Sequence, residues 1–233
     1  VRERQLLMSG RNVRAIFAGA KTVTRRPLRE QPPAECGIHY MLGNESWLAP
    51  EKRAPLRHSW EAWHGPLFEK RPAKWLCGRF DAKCPYGVPG DRLWIRETWR
   101  ERGYIGTDRD GVETEAEGYE YRADFDDEPP TGRWRPSIFM PRAACRLVVE
   151  LADIQVERLQ EIDEAGAGIE GASLFHAELA ERAHSSGAEY TLPTQREIFR
   201  NGWDELNERR GFGWDADPWV WVLTFKKVDD APR

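Results

Sequence analysis

Apolar and polar positions alternate strictly from Arg92 to Arg100, with Leu93, Ile95, Glu97 and Trp99 on one side and Arg92, Trp94, Arg96 and Arg100 on the other. This is the period of a half-buried strand, and it puts Glu97 on the apolar face. A second, longer strand is predicted from Cys145 to Val156, where Leu147, Val149 and Leu151 share a face. The almost continuously apolar run Trp219 to Phe225 predicts a central strand covered on both sides. Helical spacing takes over elsewhere. Val13, Ile16 and Phe17 follow the possible caps Ser9 and Asn12 and stop at Gly19, giving a short amphipathic helix over 11–18. Thr194 and Glu197 form a capping box for a helix over 195–209, with Phe199, Trp203 and Leu206 on one side and Gly211 as its stop. Residues 163–184 read as helical but interrupted by Gly166, Gly168 and Gly171. Leu6 to Met8 reads as a first strand. KTVTRR reads as an extended segment ended by Pro27, and residues 119–122 as a strand within an acidic, Gly-rich hairpin or loop over 101–135.

Residues 28–90 hold many of the prolines, four of the eleven tryptophans and no sustained period, so they read as an irregular insertion packed on the domain. Non-consecutive strands with helices between them predict a single α+β domain over 1–233, built on a small closed sheet. An apolar fraction of 40% beside 32% charged residues fits a folded, soluble chain rather than a disordered one. No apolar run approaches the roughly 18–20 residues of a membrane span, and VRERQLLMSGR carries charges where a secretory signal needs apolar residues. No membrane partner is expected. Cys36, Cys77, Cys84 and Cys145 are spaced too irregularly for a disulfide framework, which points to the reducing cytoplasm. Cys36-x2-His39 with Cys77-x6-Cys84 lacks the usual spacing of a zinc site in its second pair, so thiols are expected and no metal or cofactor.

Charge sharpens the picture. The chain carries −4, yet residues 1–29 sum to +7. That distribution suits a local anion site better than a long polyanion groove, although a solvated basic face has the same signature.

The chemistry gathers in GAKTVTRR, residues 19–26, where a helix end meets a strand and supplies one amine, two hydroxyls and two guanidiniums. A threonine hydroxyl becomes nucleophilic when a base takes its proton, and a desolvated lysine can be that base. Lys21 and Thr24 point to opposite faces of a straight strand and converge only if the chain turns after Gly19. A basic strand edge without chemistry is the competing reading. Glu97 is a further candidate, because a carboxylate on an apolar face either pairs with an arginine or does chemistry. Among the tryptophans, Trp94 and Trp99 are the candidates for stacking on a base.

Five ordered blocks, LMSGRNVRAIFAGAKTVTRRPL, CPYGVPGDRLWIRETW, WRPSIFMPRAACRL, VERLQEIDEAGAGIEGA and GWDADPWVWVLTFKKV, resemble the phage and bacterial ASCH-domain proteins, relatives of the PUA-like RNA-binding barrels. The resemblance leaves out much of 28–80 and 101–130. It implies a small mixed β-barrel with flanking helices, and a cleft beside the GxKTxTxR turn for RNA, modified nucleosides or nucleotides. One branch of that superfamily is an acetylcytidine amidohydrolase. By resemblance to it, Thr24 would be a nucleophile and Lys21 its base. Glu170 would orient the amine or handle the leaving group's proton. Arg25 or Arg26 would hold a phosphate or a base edge, with Thr22 a further ligand-binding candidate. Where that enzyme carries a glutamate on its last strand, this chain has Thr224. Two functions are thus expected from one cleft: hydrolysis of a modified nucleoside or nucleotide, or binding of RNA or a modified base without turnover.

Overall fold

A computed structural model describes residues 1–31, 74–77, 80–101, 105–107, 113–115, 118–125, 131–186 and 191–228. It is an α+β structure. Its centre is a five-stranded mixed sheet of β1 (Glu3–Leu7), β2 (Val23–Pro27), β5 (Arg92–Arg96), β10 (Val148–Arg158) and β11 (Trp219–Val228), in the order β1-β5-β10-β11-β2. β1 and β5 are parallel, and the other three pairings are antiparallel. Three two-stranded ribbons accompany it. They pair β3 (Lys74–Cys77) with β4 (Phe80–Lys83), β7 (Ile105–Thr107) with β8 (Glu113–Glu115), and β6 (Trp99–Glu101) with β9 (Tyr119–Tyr121).

The alternation seen in the sequence is kept. Leu93, Ile95, Glu97 and Trp99 are all buried. β10 begins at Val148, three residues later than the predicted strand, where its pairing with β5 and β11 begins. A bulge between Leu151 and Asp153 then shifts the phase of β10, so that Leu147, Val149 and Leu151 are followed inward by Ile154 and Val156. β11 lies between β10 and β2 and is covered on both faces: Trp219, Trp221, Leu223 and Phe225 face one core, Val220 and Val222 the other. The small closed sheet expected from the sequence does not appear as a closed hydrogen-bonded cylinder. Among the described residues no ladder joins β1 to β2.

The first core also takes Leu6, Val13 and Ile16, the last two from α1 (Gly10–Phe17), which links β1 to β2 and is capped by Ser9. The second core is made with α2 (Glu164–Ile169), α3 (Ala172–Ser186) and α4 (Gln195–Asn207). Of the three glycines expected to break the helix over 163–184, Gly166 and Gly168 lie inside α2, and the break falls at Gly171. The capping box of α4 is complete: Glu197 N–H donates to Thr194 Oγ1 at 3.1 Å, and Thr194 N–H to Glu197 Oε2 at 2.7 Å. Phe199 and Trp203 pack, while Leu206, expected beside them, is 52% exposed. Ile198 takes the buried place on that side.

Candidate functional site

The turn between α1 and β2 is held by backbone bonds before any side chain acts. Lys21 N–H donates to Ala15 O at 3.0 Å, Thr22 N–H to Ile169 O at 3.0 Å, and Phe225 N–H to Thr22 O at 2.9 Å. Lys21 and Glu170 also face each other across an isolated antiparallel bridge. That approach depends on Gly171, whose φ of +101° suits glycine. A β-carbon there would stand 2.9 Å from Ala15 Cβ and 3.4 Å from Lys21 Cβ.

The side chains then join residues 149 positions apart. Lys21 Nζ donates to the Glu170 carbonyl at 2.8 Å and, by a short bond, to Glu170 Oε2. Glu170 Oε1 accepts from Arg25 Nη1 at 3.1 Å, and Arg25 reaches past β11 to donate through Nε to Glu157 Oε1 at 2.7 Å. Lys21 is 3% exposed and Glu170 7%. Burial lowers the Lys21 pKa and the Arg25 and Arg26 charges push the same way, while Glu170 opposes them. The outcome is an amine that gives up its proton more readily than an exposed lysine does.

Register separates the hydroxyls and guanidiniums of β2 by face. Thr24 pairs with Leu223 and Arg26 with Trp221, both on the side of the first core. Arg25 pairs with Val222, on the side of the three helices. Thr24 is 3% exposed and, among the described residues, its hydroxyl makes no hydrogen bond to Lys21, whose Nζ bonds run to Glu170. Thr22 is exposed. Arg26 Nη2 donates to Leu7 O at 2.6 Å and approaches Met8 Sδ at 3.3 Å.

Glu97 belongs to a different cluster. It is 1% exposed and accepts from Arg146 twice, Nε to Oε1 at 2.9 Å and Nη2 to Oε2 at 3.0 Å. Arg146 also pairs with Asp124 at 2.7 Å and lies over the Tyr121 ring, 3.9 Å from its centroid. Burial raises the Glu97 pKa against the pull of Arg146. Trp99 packs edge-on against Tyr119 inside a core and, 2% exposed, turns no ring face to solvent. Trp94 is half-buried, with the Arg96 and Arg142 guanidiniums 5.2 and 5.9 Å from its ring centroid.

Glu157, Arg146 and Gly171 were not among the residues the sequence singled out for the site. The first two look like ordinary polar positions, and Gly171 reads only as a helix stop. Cys36 and His39 lie outside the described residues, as does the Cys77 side chain, whereas Cys84 and Cys145 are buried free thiols. Burial raises the Cys84 pKa to about 11, so it is a poor nucleophile. No family model, curated protein or solved structure matches the chain.

Proposed function

We propose that this chain is an ASCH-like, PUA-like protein that hydrolyses an acyl amide on a modified nucleoside or nucleotide in the cytoplasm. The observation that carries the reading is the buried bond between Lys21 and Glu170, which unites two of the residues implied by the resemblance. A barrel-like curl is supported by Arg26, whose side chain bonds from one edge strand of the sheet to the Leu7 carbonyl of the other.

In this mechanism a proton passes from Lys21 Nζ to Glu170 Oε2 along the bond already present, freeing the amine lone pair. Substrate binding turns Lys21 toward Thr24, whose Oγ1 gives up its proton and bonds to the acyl carbon. The carbon–nitrogen bond then breaks, and the leaving amine takes its proton from Lys21. Water attacks the resulting ester and restores the Thr24 hydroxyl. Arg25 keeps Glu170 in place throughout. Bonds of a catalytic pair often tighten only when substrate is present, so a ligand-free Lys21 resting on Glu170 is compatible with this role.

One observation favours a second reading, a binding module for RNA or a modified base. Register puts Thr24 on the face of β2 opposite Arg25, the partner of Glu170. A panel of N-acylated nucleosides assayed for release of free acid separates the two. Turnover that falls about 10²–10⁴-fold in both Lys21→Ala and Thr24→Ala supports the hydrolase. Binding without turnover supports the module.

A further inference from the structure

Arg25 has two carboxylates to hold and divides its guanidinium between them. Nη1 reaches Glu170 Oε1 at 3.1 Å, while Nε and Nη2 both close on Glu157 Oε1 at 2.7 Å. The closer contacts thus go to Glu157. Lys21, Glu170, Arg25 and Glu157 form one bonded row of alternating charge. Enclosure falls off along it: the Lys21, Glu170 and Arg25 side chains are 2%, 4% and 7% exposed, and that of Glu157 is 22% exposed. The row begins in the interior and ends at solvent.

Its walls are apolar. Register places Arg25 opposite Val222 and Glu157 opposite Val220, so the guanidinium crosses β11 on a face that offers buried valines. α2 lies against it as well, since a β-carbon on Gly166 would stand 3.5 Å from Arg25 Nη2. In such surroundings a charge is felt strongly by its neighbours. A guanidinium fork also fits both oxygens of a single carboxylate. Without Glu157, Arg25 would be free to turn its fork on Glu170 and take the oxygen that now accepts from Lys21. The loss of one negative charge would push the same way, because an anion near an amine favours the protonated form. Of the other charged groups, Arg26 acts on Lys21, and Glu161, in the turn after β10 with Arg158 and Asp217 beside it, acts on Glu157.

We propose that Glu157 is a positioning residue of this site: by engaging two nitrogens of Arg25 it leaves Glu170 Oε2 to Lys21 and governs when the amine gives up its proton. Its use in catalysis rests on the proposed hydrolase, whereas its hold on Lys21 is read from the bonded row and is testable without substrate.

The test follows the Lys21 amine by NMR through a carbon-13-labelled ε-carbon in the full chain, with the resonance assigned by its loss in Lys21→Met. Glu157→Gln keeps an acceptor and removes the charge, so the Lys21 midpoint should fall by about half a unit or more. Glu157→Asp, which keeps the charge, should stay closer to the parent than Glu157→Gln does. Glu150→Gln, which removes the same charge earlier on the same strand, should leave the midpoint where it is. Glu157→Thr, a residue suited to a strand, replaces the glutamine variant should that one not fold. Where acylated nucleosides are turned over, the rising limb of activity against pH should move down with the Lys21 midpoint. A midpoint unchanged or raised in Glu157→Gln, or lowered equally in Glu150→Gln, overturns the proposal. A lowered midpoint in a chain without turnover would keep Glu157 as the residue that sets Lys21 and remove the hydrolase. Turnover with an unmoved midpoint would do the reverse.

Discussion

Glu97 and Glu170 are both buried carboxylates answered by arginine, yet the two are held in different ways. Glu97 sits just past the end of β5 in a bidentate grip from Arg146, a guanidinium that stays charged at any pH the protein meets. Glu170 caps α2 and divides its oxygens between Arg25 and a lysine whose burial loosens its proton. The first arrangement fixes charge in place. The second joins a carboxylate to an amine whose burial favours its neutral form, a pairing that the proposed acid–base chemistry would use and a structural clamp would not.

The contrast breaks most readily at Arg146. Arg146→Ala leaves Glu97 buried and unpaired, and should cost about 3 kcal/mol or more in denaturant unfolding. Lys21→Ala leaves Glu170 its Arg25 partner, so its cost should be smaller, about 1–2 kcal/mol, with the loss felt in activity instead. Equal destabilisation by the two would make the Lys21 pair a clamp like the other. Next in size is Gly171→Ala. A β-carbon 2.9 Å from Ala15 Cβ at a φ of +101° should cost about 1–3 kcal/mol and displace Glu170 from Lys21. Full activity in that variant would show that the backbone contact is dispensable.

The two clusters should also bend stability against pH in opposite directions. Glu97 has a raised folded pKa, so the stability it contributes is complete below its ordinary 4.5 and is lost as pH climbs through the raised value. Lys21 has a lowered folded pKa, so the unfolded chain binds the extra proton and stability rises with pH between the lowered value and the ordinary 10.5. Unfolding midpoints across pH should lose the falling component in Glu97→Gln and the rising one in Lys21→Met. A profile unchanged in either variant would mean that its residue does not titrate differently on folding. The smallest effect is expected from Tyr121→Phe, which removes the 2.8 Å bond to Ala144 O but keeps the ring under Arg146. About 0.5–1.5 kcal/mol should be lost, and a larger loss would assign the clamp to the hydroxyl rather than to the Glu97–Arg146 pair.

How much of this was legible depended on whether the signal was local. Alternation from Arg92 to Trp99 carried the strand and the burial of Glu97, because period two is a property of neighbouring residues. The late start of β10 and its bulge were hidden, since a pairing partner determines both. Leu206 shows the limit on α4: helical spacing names a stripe, and whether a third residue on it meets anything depends on what lies opposite. At the site, GAKTVTRR announced its chemistry by composition. The partnership of Lys21 with Glu170 came only through the resemblance, and Glu157 and Arg146 carry no sequence mark because their meaning lies in residues 132 and 49 positions away.

The position of β2 in the sheet has a consequence for how the protein is made. Its ladder partner is β11, the last strand of the described chain, so residues 23–27 are synthesised almost two hundred residues before the strand they lie against. Until then the lysine and arginines of the turn are hydrated and the amine keeps its ordinary affinity for a proton. Closing so long a loop is slow relative to local contacts, which places completion of the chemistry late in folding. A nascent chain stalled before β11 would carry every residue named for the reaction and none of the enclosure that changes their behaviour.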